Sequence, residues 1–460
     1  MLRGRTHIQN SDSRSDFTLS WPAEQDVAAP REGGNAARRR LGLPSASALI
    51  VGNMIGAGVF TTSGYALADL GRPEWVMLAW LVGGVLALCG ALSYGALARC
   101  IPDSGGEYTY LSRIVHPLAG FVAGWISLLA GFTAPIAAAA LALHAYLADS
   151  FEIALSPEWL GTLAILTAAL MHGVRLREGV KLQNLAVGLM LLLIAAFVAV
   201  GVARLPSSPA PLAQATDGFE IGAFAVTLVW ISFAYSGWNA AIYVAGEVRD
   251  PKRNLGRSLW LATGAVTVIY VSLNWVFLYS ASPTVLAGRP DIAAASAEAL
   301  GGAALRRGVS VLVALALFTS VAAMVMAGPR VYARMAEDGL FPRLFGDGGD
   351  VPRAAIALQA ALATGVVWIT GLRALLSYIG LALGISAAAT VAALLVLRFR
   401  EGASCVPVPG YPWVPALFLL ATLASAGFLA AREPREALWA LLTVTLGVPA
   451  YWLLRARVTP

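Results

Sequence analysis

Long apolar segments separated by short polar stretches occupy the chain from about residue 40 onward. A helix needs roughly 20 apolar residues to cross the ~30 Å hydrocarbon core of a bilayer, and these segments reach that length. A membrane β-barrel would instead require alternation within ~10-residue segments. The pattern therefore predicts an all-α membrane protein with twelve transmembrane helices, at about residues 43–70, 75–99, 117–148, 158–174, 182–203, 221–246, 257–281, 308–335, 354–371, 373–398, 413–431 and 435–455.

Residues 1–40 differ from the rest of the chain because they are polar and lack an apolar core. This composition predicts a disordered tail and not a signal peptide. Lys and Arg are enriched in the loops that lie on the same side of the membrane as the N-terminus, for example at Arg249, Lys252 and Arg398. Cytoplasmic loops carry such an excess. We therefore expect a multi-pass protein of the inner (cytoplasmic) cell membrane with both termini, and the tail, in the cytoplasm.

The composition narrows the range of functions. Of all residues, 58% are hydrophobic and 13% are charged. The net charge of +6 is spread over short loops and forms no basic face. This distribution of charge argues against nucleic-acid binding. Cys89, Cys100 and Cys405 have no metal-ligand spacing, so we expect no metal and no cofactor. A membrane-embedded enzyme would need a nucleophile and base within the membrane, and the predicted helices contain no such pair.

Glycines interrupt the first and sixth predicted helices near their middles. Gly52, Gly56 and Gly58 lie within seven consecutive residues, and Gly237 lies within the segment 233–239. Each glycine weakens a helix by roughly 1 kcal/mol. Interrupted helices at corresponding positions of two halves are typical of a transporter's substrate site, although Gly52 and Gly56 also fit a small-residue helix-packing motif.

An unwound helix supplies the groups that an amino acid substrate needs. Free N–H groups at the start of a half-helix attract a carboxylate, and free carbonyl groups at the end of the other half accept hydrogen bonds from an ammonium group. The sequence thus predicts recognition of an α-amino acid without any charged side chain.

Five motifs in order resemble the amino acid–polyamine–organocation (APC) superfamily of transporters over about residues 43–455. They are GNMIGAGVF at 52–60, PDSGGEY at 102–108, FAYSGW at 233–238, EVRDPKRNL at 247–255 and RVYARMAEDGLFP at 330–342. The resemblance implies a transporter domain at 41–460 with an inverted five-plus-five repeat and discontinuous helices 1 and 6. Its repeats would span about 43–203 and 221–398, followed by two peripheral helices at about 413–455.

The resemblance also implies a substrate held between the two interrupted helices. The expected substrate-binding residues are Asn53, Met54, Ile55, Gly56, Ala57, Gly58, Phe233, Ala234, Tyr235, Ser236, Gly237 and Trp238. Ala57 stands where the family usually has Ser, which removes one hydroxyl contact.

Gating and ion coupling are less determined by the sequence. Glu107 and Glu247, at the cytoplasmic ends, are expected either to pair with arginines as a gate or to be solvated loop carboxylates. Met190 occupies the position where many relatives have a lysine that stands in for a cation. Thr319 and Ser320 are then candidates for binding sodium, or ordinary hydroxyls bonded to their own helix.

The substrate is expected to be a net-neutral amino acid with an apolar or small side chain, because the central thirds of the predicted helices contain no Asp or Glu. A cationic amino acid or polyamine exchanger, and a non-transporting amino acid sensor, are the alternatives. Exchange and ion-coupled uptake both stay open. Some eukaryotic relatives attach a glycoprotein through a cysteine between helices 3 and 4; residues 149–157 contain no cysteine, so no covalent partner subunit is expected.

Overall fold

The computed structural model describes residues 41–173, 179–206, 218–337, 339–345 and 353–455. The predicted tail at 1–40 lies outside the described residues. Nearly all of the described chain is helical, and its extended pairing is limited to a single bridge between Leu41 and Val248. The predicted all-α class is confirmed.

The α-helices follow one another with short connections. They are α1 (Leu43–Met54), α2 (Ala57–Leu70), α3 (Pro73–Cys100), α4 (Gly106–Ile114), α5 (Pro117–Ile126), α6 (Ala134–Phe151), α7 (Pro157–Gly173), α8 (Gly179–Arg204), α9 (Ile221–Tyr235), α10 (Ala240–Tyr243), α11 (Pro251–Tyr279), α12 (Pro283–Leu286), α13 (Ile292–Glu337), α14 (Arg353–Ile369), α15 (Leu372–Glu401), α16 (Trp413–Arg432) and α17 (Pro434–Arg455). A π-helical segment, Ser127–Thr133, joins α5 to α6.

Helical segments lie at each of the twelve predicted positions. Within the described part of the chain, eight helices are long and apolar enough to cross a membrane, and the bent pair of α1 and α2 brings the number to nine. Two further apolar helices, α9 and α14, are shorter. The protein is therefore a multi-pass membrane protein, while the count of twelve spans and the inverted repeat stay predictions.

Both predicted helix interruptions are observed. Between α1 and α2 the chain bends by 41°, because Ile55 and Gly56 adopt extended backbone conformations. After α9 the chain turns through Gly237, whose φ of +93° lies in a region that residues with a Cβ rarely adopt. The short helix α10 follows this turn. Local glycine chemistry thus produces both breaks.

Small residues allow α3 to pack closely against α9 and α11. Of the two, α11 makes the more extensive contact with α3. A Cβ added to Gly83 would lie 2.4 Å from the side chain of Ile231, and one added to Gly95 would lie 3.1 Å from the backbone of Gly256. Glycines at such positions let membrane helices approach closely. They hold α3, α9 and α11 together beside the two breaks.

The third and eighth predicted helices contain irregularities that the apolar pattern does not reveal. The π-helical segment lies in the middle of predicted helix 3, and π segments are frequent at functional sites. In α13, Gly301 and Gly302 have non-helical backbone angles, so predicted helix 8 is the part of α13 that follows this kink.

Candidate functional site

The two helix breaks lie directly against each other. A Cβ built on Gly58 would lie 2.4 Å from Cα of Ala234, and one built on Gly237 would lie 2.9 Å from the carbonyl oxygen of Asn53. Neither position accommodates a side chain without displacing backbone, so glycine is required for the approach. The structure therefore brings the predicted segments 53–58 and 233–238 into contact with each other.

The start of α2 supplies backbone donors to this site. Gly56 is the N-cap residue of α2, and no side chain caps the helix end. The first N–H groups of a helix have no intrahelical partner, and the helix dipole makes this end partly positive. The N–H groups at Gly56, Ala57 and Gly58 are thus suited to binding a carboxylate.

The ends of α1 and α9 supply backbone acceptors. The carbonyl group of Phe233 accepts a hydrogen bond from the N–H of Ser236 at 2.9 Å. The carbonyl groups of Met54 and Ala234 both accept from the hydroxyl of Tyr270, at 2.5 and 3.0 Å. Carbonyl ends carry partial negative charge, so the site combines donors for an anion with acceptors for a cation.

Several predicted residues are buried beside the breaks or bonded within their own helix. The amide of Asn53 donates to the carbonyl group of Leu49, one turn earlier in α1. Met54 and Ile55 are buried at 3% and 1% exposure, and Phe233 at 7%. At the break these residues contribute chiefly main-chain N–H and carbonyl groups, which apolar side chains surround.

Two aromatic residues of the sixth predicted helix belong to packing clusters. The ring of Tyr235 lies 5.7 Å from that of Trp80, and its hydroxyl donates to the carbonyl group of Trp80 at 3.2 Å. The ring of Trp238 lies 4.6 Å from that of Tyr94 and also approaches Gly90. Both side chains therefore attach the region of the break to α3.

Glu107 is buried, with 4% of its surface exposed, and its carboxylate is fully engaged. Oε1 accepts hydrogen bonds from Tyr94, at 3.2 Å, and from the amide of Asn239. Oε2 accepts from the hydroxyl of Tyr243 at 2.5 Å. This cluster joins α4 to α3 and to the segment that follows the second break.

The second predicted gating residue lies elsewhere in the structure. Glu247 is exposed, and its carbonyl group accepts a hydrogen bond from the N–H of Leu41 at 3.0 Å. The N–H of Arg249 donates in turn to the carbonyl group of Leu41 at 2.8 Å. The main chain at Glu247 thus ties the start of α1 to the segment after α10.

The two sodium candidates have different surroundings. The hydroxyl of Thr319 donates to the carbonyl group of Leu315 at 2.7 Å, which is ordinary bonding within a helix. Ser320 faces the first break, since its Oγ would lie 3.2 Å from a Cβ built on Gly56. Of the pair, only Ser320 adjoins the site.

At the opposite end of α2, charged and aromatic side chains connect three helices. Arg373, at the start of α15, donates to both carboxylate oxygens of Asp69 at 2.9 and 2.7 Å. Its guanidinium carbon lies 4.9 Å from the ring centroid of Trp230 in α9, within the range of cation–π attraction. The indole N–H of Trp230 donates to Ser377 at 2.7 Å. These contacts join α2, α9 and α15 at the end of α2 that lies away from the break.

Ser377 also donates a hydrogen bond to Glu433, in the turn between α16 and α17. Partial burial of this carboxyl group raises the pKa of Glu433 above its ordinary value, against the lowering effects of the Ser377 hydrogen bond and the positive charge of Arg373. The protonated form is therefore favoured here more than in an exposed glutamate.

Sequence reasoning did not identify Tyr270 or the partners of Glu107. Two polar residues, Tyr270 and Asn274, lie four positions apart in the apolar seventh predicted helix. Residues at this spacing share one helix face. This pair of polar residues in an apolar helix was the feature of the sequence that could have indicated a buried polar contact. Tyr94 and Tyr243 have no comparable feature in the sequence around them.

Comparison with known proteins identifies a family match. A family model described as "Amino acid permease" matches residues 41–450. The chain is 29% identical to the large neutral amino acids transporter small subunit 2 of Rattus norvegicus, with 98% of this chain and 87% of the relative covered. It is 26% identical to the Asc-type amino acid transporter 1 of Mus musculus, covering 91% and 81%. It is also 26% identical to the serine/threonine exchanger SteT of Bacillus subtilis (strain 168), covering 92% and 98%.

Proposed function

Because the chain belongs to the amino acid permease family, we propose that it is a secondary carrier that moves net-neutral amino acids across the inner cell membrane by alternating access. The observation that supports this most strongly is the crossing of the two breaks, where Gly58 meets Ala234 and Gly237 meets Asn53. This crossing brings the N–H groups at the start of α2, which no side chain caps, close to main-chain carbonyl groups at the ends of α1 and α9. A zwitterionic backbone needs that combination, whatever its side chain.

In this proposal the substrate carboxylate binds the N–H groups of Gly56, Ala57 and Gly58. The substrate ammonium group binds main-chain carbonyl oxygens from the two breaks, at Asn53, Ile55, Phe233 and Ser236. Two nearby carbonyl groups, of Met54 and Ala234, already accept from Tyr270. The substrate side chain then meets apolar surface, which favours apolar or small amino acids.

The distribution of buried charge supports a neutral substrate. Among the described residues, the buried carboxylates are Glu107 and Asp291. Glu107 is bound by Tyr94, Asn239 and Tyr243, and Asp291 by arginine. A buried unpaired cation is costly by several kcal/mol. A lysine-like or arginine-like substrate would therefore lack a free carboxylate partner.

Two clusters are suited to closing the site at opposite ends. Glu107 with its tyrosine and asparagine partners joins α4 to the segment after the second break, and we assign it the cytoplasmic side. Arg373 with Asp69 and Trp230 joins α15, α2 and α9 at the other side. Glu247 contributes through its backbone contact with the start of α1. Alternating access would break one set of contacts while the other persists.

The test is uptake into proteoliposomes that contain the purified protein. Radiolabelled L-leucine should enter, and unlabelled leucine and alanine should compete better than arginine or glutamate. Leucine methyl ester and 4-methylpentanoate are matched controls, because each removes one charged end of leucine and should fail to compete. Preferred competition by arginine would refute the neutral-substrate proposal. Binding without uptake would indicate a sensor.

Exchange is the mode of transport that we propose, since one relative bears the name of an exchanger. Liposomes preloaded with unlabelled leucine should then take up labelled leucine several times faster than empty liposomes. Equal rates in loaded and empty liposomes would instead support uptake without exchange.

We also propose that no partner subunit is attached by a disulfide between α6 and α7. The connection at residues 152–156 contains no cysteine. On non-reducing gels of native membranes the protein should migrate at the size of the single chain. A larger species that reduction collapses would overturn this proposal.

A further inference from the structure

Tyr270 contacts both broken helices through one hydroxyl group. Its side chain is completely buried in α11, and its Oη lies 2.5 Å from the carbonyl oxygen of Met54 and 3.0 Å from that of Ala234. Met54 is the last residue of α1, and Ala234 is the last but one of α9. Carbonyl groups at helix ends have no intrahelical partner. A single phenol hydrogen is therefore shared by the two carbonyl groups that border the breaks.

A buried network keeps the hydroxyl in this position. The ring of Tyr270 packs against Trp80, at 5.4 Å between centroids, and against Tyr235, at 5.0 Å. One turn further along α11, the amide of Asn274 donates to the carbonyl group of Tyr270 at 2.9 Å. Rings held on two sides lose little further entropy when the hydroxyl forms its bonds.

The same network continues into α2. The indole N–H of Trp80 donates to Ser63 at 2.8 Å, and Ser63 donates to the side-chain oxygen of Asn274. All three side chains are completely buried. Buried polar networks in which each member is satisfied specify one arrangement of the elements they connect. Here the connected elements are α2, α3 and α11, next to both breaks.

We propose that Tyr270 is a positioning residue, whose hydroxyl holds the carbonyl ends of α1 and α9 in register so that the two breaks form one substrate site. The proposal rests on the proposed function, because it concerns binding of the amino acid backbone. Tyr270 does not contact the substrate in this arrangement. It fixes the distance between the groups that bind the carboxylate and those that bind the ammonium.

A positioning role predicts a particular pattern of binding defects. Tyr270→Phe removes the shared hydrogen bond and keeps the packed ring. The two carbonyl groups then lose the donor between them, and the breaks move relative to each other. Every amino acid should lose affinity by a similar factor, because the defect concerns the common backbone and not the side chain. A merely structural role would lower the fraction of folded protein and leave the affinity of the folded fraction unchanged.

The experiment is equilibrium binding of radiolabelled L-leucine and L-serine to purified, monodisperse protein. We expect Tyr270→Phe to keep the number of sites per folded molecule and to raise Kd for both ligands on the order of tenfold, which corresponds to about 1.4 kcal/mol. The matched control is Tyr110→Phe, because the hydroxyl of Tyr110 is also buried and has no hydrogen-bond partner among the described residues. Its Kd should equal that of the wild type.

A second variant tests the support of the hydroxyl. Ser63→Ala leaves Tyr270 intact and removes a remote part of the network, so its Kd should rise by a smaller factor. An unchanged Kd in both Tyr270→Phe and Ser63→Ala overturns the positioning role, as does a change in site number alone. Failure of the wild type to bind either ligand would instead refute the proposed function.

Discussion

Replacement of Glu107 tests whether its carboxylate holds three elements together. Glu107→Ala would leave three donors without their acceptor, namely the buried hydroxyl of Tyr94, the partly buried hydroxyl of Tyr243 and the partly buried amide of Asn239. Each buried polar group left unsatisfied costs about 1–3 kcal/mol. Rotation of the hydroxyls toward other acceptors reduces the total, so we expect a loss of roughly 3 kcal/mol. Glu107→Gln keeps one oxygen acceptor and should lose about 1 kcal/mol.

A double-mutant cycle with Tyr243→Phe gives the sharper measurement. The four proteins are the wild type, Glu107→Ala, Tyr243→Phe and the double variant, compared by reversible unfolding in mixed micelles. Because the Tyr243 hydroxyl lies 2.5 Å from the Glu107 carboxylate, we expect a coupling energy of about 1–3 kcal/mol, as for residues in contact. A coupling energy near zero, with Glu107→Ala no less stable than Tyr110→Phe, would show that Glu107 acts as a solvated loop carboxylate.

Two further changes have definite expected outcomes. Gly58→Ala should destabilise the protein by about 1–3 kcal/mol through overpacking, because its Cβ would lie 2.4 Å from Cα of Ala234. Gly56→Ala should destabilise the protein less, because its Cβ would meet only Oγ of Ser320, at 3.2 Å. Equal losses in unfolding experiments would contradict this reasoning. The raised pKa of Glu433 favours the protonated form of this side chain in the folded state. The protonated side chain therefore contributes its full stabilisation below the unfolded pKa of about 4.3. This stabilisation is lost as the pH rises through the folded pKa. Glu433→Gln should remove that part of the pH dependence in thermal unfolding, and an unchanged pH profile would argue against it.

The sequence was sufficient to predict the helical class and both breaks, because each depends on local chemistry. Apolar run length determines which segments can span a bilayer. Gly56 and Gly237 weaken their helices wherever those helices lie in the fold. The family resemblance then indicated that the two breaks belong together, and the contact between Gly58 and Ala234 agrees with this.

The network around the breaks could not be predicted because it depends on how the helices are rotated about their axes. Tyr270 contacts Met54 across 216 positions of sequence, and no local pattern specifies that distance. Glu107 follows two glycines in a polar motif that reads as a loop, yet folding buries its carboxylate. The π-helical segment Ser127–Thr133 likewise occurs in a sequence without a distinctive local signal.

In the proposed site, recognition of the substrate backbone is separate from recognition of its side chain. Main-chain groups at the breaks are the same for any residue type, so they suit the invariant part of an amino acid. In the proposed arrangement their geometry depends on side chains that do not contact the substrate, above all Tyr270 and the network behind it. Apolar residues beside the breaks, such as Ile55 and Phe233, remain available to distinguish substrate side chains. Substitution of Ile55 or Phe233 should therefore change the order of preference among neutral amino acids, whereas substitution of Tyr270 should weaken binding of all of them together.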